Sequence, residues 1–170
     1  MHAEDHEEHT VPAASPSVDP APLDALDRRL LTELAADGRV TNAALAKRLG
    51  IAESTCLQRV RSLRERGVVR GVHADVDLAA LGFPIQAVIK VRLGSHNRDH
   101  VASFHQVLAH VPGVLRILHV GGEDDYLLHV AVSSTTQLRD LVLEHLNVHP
   151  VVRHTETQLV FEEIAGAGVL

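Results

Sequence analysis

Between Glu53 and Arg66 lies a set of side chains suited to hydrogen-bonding a polar surface. Ser54, Thr55, Gln58 and Ser62 share one face of the predicted helix, with Arg59 and Arg61 at its two edges. At 100° per residue, Cys56, Leu57 and Leu63 fall within about 60° of Val60 on the other side, and this row is expected to point inward. Short hydroxyls and an amide can bond base edges in the DNA major groove, while flanking guanidiniums suit phosphates. An ordinary solvated helix is also polar and charged, so the face alone does not decide the matter.

A second constellation is Gly121-Gly122-Glu123-Asp124-Asp125. Gly121 and Gly122 let the backbone approach a small molecule, and their N–H groups could bind a carboxylate. Asp124 or Asp125 could accept bonds from an ammonium group. Gly and Asp are also ordinary turn residues, so spacing alone favours a plain hairpin turn.

Thirteen histidines are present, His2, His6 and His9 among acids near the start. That composition could hold a transition metal, but a solvated flexible arm is the favoured reading, and no metal ligands are assigned. His96 and His100 have i,i+4 spacing, although the helix is expected to begin between them. His145 reads as a hydrogen-bonded core residue. His119 and His129 lie on neighbouring predicted strands and could meet across the sheet or at a surface between copies, giving pH-sensitive assembly. Cys56 lies on the inward face, where a buried cysteine is core filler rather than a redox sensor. No Ser/His/Asp order, Cys/His pair, P-loop or zinc-hydrolase motif is present. No catalytic residue and no cofactor is therefore assigned.

These residues need elements to hold them. Leu26, Leu30, Leu31 and Leu34 mark a helix over 24–37 that Gly38 ends. Thr41 or Asn42 caps a second helix with Leu45, Ala46 and Leu49 inward, stopped by Gly50. The third helix spans about 53–66, and VVRGVHADV follows as a strand. Together they form a helix-turn-helix unit. Beyond Pro84 the pattern alternates, with Ile85, Ala87, Ile89, Val91 and Leu93 on one strand face. A helix over 98–110, strands at 114–120 and 126–132, a helix carrying Leu138, Leu141, Val142 and His145, and a strand over 154–163 complete βαββαβ, the ferredoxin-like plan. The fold class is α+β: an N-terminal winged helix-turn-helix domain joined to a C-terminal ferredoxin-like domain. The boundaries read as a disordered tail over 1–22, the DNA-binding domain over 23–71, a hinge strand and linker over 72–84, the ferredoxin-like domain over 85–163, and a tail over 164–170.

Charge divides along the same lines. Residues 1–22 hold five acids and no Lys or Arg, residues 23–75 hold ten Lys/Arg against seven acids, and residues 76–170 hold six against ten. Contacts with phosphate are therefore expected only in the middle segment. No apolar run is long enough for a membrane span, no signal-peptide pattern opens the chain, and a lone cysteine fits a reducing cytoplasm. A cytoplasmic location is expected.

L-D-x-x-D-R at Leu23–Arg28, D-G-R at Asp37–Arg39, L-A at Leu45–Ala46, R-V-x-x-L at Arg59–Leu63 and G-V-V-x-G at Gly67–Gly71 resemble the leucine-responsive regulatory protein (Lrp)/AsnC family. VGGEDDYLL resembles that family's V-x-G-x-x-D-Y-L-L, with Gly122 and Asp125 at its Gly and Asp. The resemblance implies a sequence-specific regulator of transcription that binds double-stranded DNA. It implies dimers through the ferredoxin-like domain, often built into tetramers or octamers, and an amino acid or similar small effector that alters assembly or DNA binding. Two departures stand out. Ala52 replaces a frequent Ser before the recognition helix, losing a cap typically worth about 1 kcal/mol. Asp124 stands where a neutral residue is commoner. The alternatives are a metal- or pH-responsive DNA-binding regulator using its histidines, or an amino-acid-sensing regulatory subunit of an enzyme.

Overall fold

The computed structural model describes residues 22–94 and 98–170, and the histidine-rich start and His96 lie outside them. Two compact units are present: residues up to Ala74 together with Gly168–Leu170, and Asp75–Ala167. Among the described residues no helix is long and apolar enough to cross a membrane.

The first unit contains α1 (Ala25–Ala36), α2 (Asn42–Leu49) and α3 (Glu53–Glu65). Asp24 starts α1 in a capping box: its carboxylate accepts the Asp27 N–H at 2.7 Å, and the Asp27 carboxylate accepts the Asp24 N–H at 3.4 Å. Of the two expected caps for α2 it is Thr41 that serves, its hydroxyl accepting the Ala44 N–H at 3.2 Å. Gly50 then takes φ 70°, where a Cβ would be strained, and reverses the chain toward α3. Leu30, Leu45, Ala46, Leu49, Cys56, Val60 and Leu63 close the core between the three helices. The expected strand over VVRGVHADV is not formed. Residues 71–77 make no ladder, because extended backbone becomes a strand only beside a partner strand. Asp77 instead caps a single turn, accepting the Ala79 and Ala80 N–H groups at 2.9 and 3.2 Å.

The second unit runs β1 (Ile85–Leu93), α4 (Arg98–Ala109), β2 (Val114–His119), β3 (Tyr126–Val132), α5 (Thr135–Leu141) and β4 (Val152–Leu159). All pairings are antiparallel in the order β2-β3-β1-β4. The period-2 apolar row of β1 is buried at Ala87, Ile89, Val91 and Leu93, and Phe104, Leu108, Leu138 and Leu141 from both helices share its core. Thus the βαββαβ expectation holds, with β4 beginning and ending earlier than its apolar pattern suggests. The expectation that His145 enters the core does not hold. After Leu141 the helix widens into a π-helical turn, Val142–Leu146, closed by Asn147 N–H to Val142 O at 2.9 Å. The wider turn brings Leu146, five residues after Leu141, onto the inward face, where it is fully buried, and leaves His145 half-buried.

Candidate nucleic-acid interface and effector hairpin

α3 is held from both sides. Ala52 at its N-cap makes no side-chain cap bond, as its methyl group dictates. The Asn42 amide donates to Glu53 O at 2.9 Å and ties the start of α2 to the start of α3, a bond to a carbonyl that leaves the absent N–H acceptor unreplaced. On the opposite flank Arg59 Nη1 donates to Asp24 Oδ2 at 2.6 Å and Asp27 Oδ1 at 2.9 Å, and Arg66 lies 3.8 Å from Asp27. Asp27 is 6% exposed, so this carboxylate is a buried anion shared by two arginines of α3 and its C-cap. The Asp27 backbone N–H, and then the Arg59 guanidinium, hold the Asp24 carboxyl below its usual range.

The exposed face of α3 is narrower and different from the one expected. Ser54, Thr55, Gln58 and Arg61 are exposed, whereas Ser62 is half-buried. Arg61 pairs with Glu65 at 2.8 Å along the helix, an exposed contact that a phosphate could replace. Arg59 points back at α1 instead of outward. Leu57, expected inside, is 60% exposed. The error lies in taking Val60 as the centre of the buried face. Cys56 and Leu63 fall about 40° and 60° to one side of Val60 and Leu57 about 60° to the other, so a core centred on the first two turns Leu57 out. Cys56 is fully buried, and burial followed by the Glu53 charge pushes its thiol up, away from the reactive thiolate.

In the second unit the hairpin between β2 and β3 is fastened to β1. Asp125 Oδ2 accepts the Leu93 N–H at 2.7 Å, the Asp125 N–H donates to Val91 O at 3.0 Å, and Val120 N–H closes on Asp125 O at 2.9 Å. Asp125 is thus the anchor of the loop. Gly122 adopts φ 136° with open space around it, a position only glycine takes without strain. The Asp124 carboxylate lies 3.5 Å from Arg92 Nη2, which also meets Glu123 at 2.7 Å. The sequence alone does not single out Arg92. Its signal appears only with the sheet register, which sets Val91 opposite Tyr126 and carries the next residue of β1 under the hairpin.

His119 and His129 do not meet. His119 stacks on Tyr126, ring centroids 4.8 Å apart, on the face that carries the helices, and its neighbour His105 bonds the Tyr126 hydroxyl. His129 lies on the opposite face and bonds Gln86 Oε1 at 2.9 Å. Burial, then the nearby His119, lowers the His105 pKa. Among the described residues no three His, Cys, Asp or Glu side chains are grouped to hold a metal ion.

Comparison with known proteins bears on both units. Residues 23–70 match the winged helix-turn-helix DNA-binding family, and residues 86–170 match the Lrp/AsnC ligand binding domain. The chain is 45% identical over 155 residues to the HTH-type transcriptional regulator AldR of Mycobacterium tuberculosis, covering 91% of this chain and 87% of that protein. It is 32% identical over 142 residues to the leucine-responsive regulatory protein of Escherichia coli, covering 84% and 87%. Among solved structures, a transcriptional regulator of Neisseria meningitidis in complex with L-methionine superposes with a TM-score of 0.79 at 30% identity, covering 85% of this chain and 94% of that one.

Proposed function

Since the chain belongs to the Lrp/AsnC family of transcriptional regulators, we propose that α3 enters the DNA major groove with Ser54, Thr55, Gln58 and Arg61 toward the duplex. The protein is a helix-turn-helix regulator with an effector-binding domain rather than an enzyme. The observation that carries the assignment of residues is the exposed polar row of α3, set behind the Gly50 turn. Hydroxyl and amide groups in this row match base edges, and Arg61 can exchange Glu65 for a phosphate. Arg59 acts as a positioning residue: by gripping Asp24 and Asp27 it fixes the angle at which α3 leaves α1.

The effector is an amino acid held at Gly121–Asp125. The Gly121 and Gly122 N–H groups face the carboxylate, Asp124 receives the ammonium group, and Asp125 holds the hairpin in place. The methionine-bound relative supports an amino acid of this size. Effector binding alters the spacing of paired recognition helices in a homodimer or higher oligomer, as linkage between two sites requires.

A gel-shift series at rising salt tests the DNA-facing residues. Arg61→Gln is expected to make the salt dependence shallower by about 0.9 for each phosphate that the protein no longer neutralises, and Gln58→Ala to weaken specific binding while leaving non-specific binding intact. Light scattering with a thermal-shift screen of the twenty amino acids tests the rest, because a ligand of the folded state raises its apparent stability. A protein that stays monomeric and is stabilised by none of the twenty would exclude this account of the effector domain.

A further inference from the structure

Leu57 is the large apolar side chain that α3 leaves in solvent, 60% exposed, while Val60 and Leu63 of the same helix are buried. A lone exposed leucine is common on protein surfaces and needs no explanation by itself. Its neighbours change that. At 100° per residue, Leu57, Arg61, Ser54 and Gln58 lie in that order across an arc of about 100°. Leu57 therefore sits at the rim of the row assigned to the DNA, beside Arg61 and one turn from Ser54.

The major groove presents donors and acceptors at every base pair but only one apolar group, the C5-methyl of thymine. A leucine pressed against a polar base edge removes water from that edge and returns no hydrogen bond. Against a methyl group, the same leucine gains from burying apolar area on both sides. Discrimination follows directly, because cytosine offers no methyl group at that position.

We propose that Leu57 selects thymine at one position of each half-site by packing on its C5-methyl group. The proposal rests on α3 being the helix that reads DNA and adds a residue that reads by apolar contact.

The test uses the full chain. Sites are selected from random double-stranded DNA, and each thymine of the selected half-site is then replaced singly by deoxyuridine, which removes the methyl group and keeps the pairing edge. The expected result is one thymine per half-site where uracil weakens wild-type binding about fourfold, the value of one buried methyl group. Leu57→Ala and Leu57→Gln should bind the thymine and uracil forms equally there. The proposal is overturned if uracil is tolerated at every position, if the selected half-site has no invariant thymine, or if both variants still discriminate. It is also overturned if the variants change only the oligomeric mass in light scattering, since Leu57 would then serve contact between copies. Failure of the wild-type protein to enrich any sequence would instead reject α3 as a reading helix.

Discussion

The buried carboxylate under the recognition helix provides a sharp test of how α3 is held. Asp27→Asn keeps the shape of the side chain but removes its charge and one of its two acceptors. An amide oxygen that accepts the Asp24 N–H leaves the NH2 facing the Arg59 guanidinium, donor against donor, and the flipped amide leaves the Asp24 N–H without an acceptor. Asp27 is 6% exposed and faces Arg59 at 2.9 Å and Arg66 at 3.8 Å. Breaking a fully buried pair by deleting one partner costs about 3–5 kcal/mol. Here both arginines retain water, with side chains 33% and 24% exposed, and Asp24 remains beside Arg59, so the loss of Asp27 is expected to cost about 2 kcal/mol. For a unit of this size that is a fall of about 10 °C in Tm. The loss should be followed by circular dichroism at 222 nm, because the chain has no Trp and its one tyrosine, Tyr126, lies in the other unit. The companion variant Arg59→Gln should unfold more readily than wild type with its salt dependence of DNA binding unchanged. A stable Asp27→Asn, together with an Arg59→Gln whose salt dependence has become shallower, would refute the reasoning and return Arg59 to the phosphates.

Three other outcomes are expected. Ala52→Ser should stabilise the first unit by about 1 kcal/mol in urea denaturation, since the N-cap backbone is already extended and only the accepting side chain is missing. Asp125→Ala should abolish the effector response in a DNA-shift titration while retaining DNA binding, because it frees the hairpin from Leu93 without touching α3. Because the Asp24 carboxyl titrates below its usual range in the folded chain, the folded state binds fewer protons there than the unfolded one. The stability it contributes is therefore complete above the ordinary carboxylate pKa of about 3.9 and lost as pH falls below it. The advantage of wild type over Asp24→Asn should accordingly shrink on acid titration through that range.

The elements are legible where periodicity and punctuation agree. Gly50, Thr41 and Asp24 mark helix ends because the backbone demands at those positions are local. The alternation from Ile85 to Leu93 announces a sheet with one buried face. What cannot be read depends on partners distant in sequence. Arg59 looks like a phosphate ligand until α1 is folded beside it and brings Asp24 and Asp27 within reach. Arg92 has no visible role until β1 pairs with β3. Leu57 is misplaced by periodicity because three apolar neighbours fit two different centres for the buried face, and only packing against α1 and α2 chooses between them. His145 is misplaced by a period of 3.6 residues that the helix abandons at Val142.

That change of winding has a consequence for chain length. From Leu141 to Leu146 the helix uses five residues to regain the face that an ordinary turn regains in four. The segment therefore carries one residue of slack, with Leu143 on the outside of the turn and 53% exposed. A chain lacking one residue there could wind as plain α-helix and still deliver Leu146 to the same cavity and Val152 to the same strand. The fold specifies where this helix must end more strictly than how many residues it takes to get there.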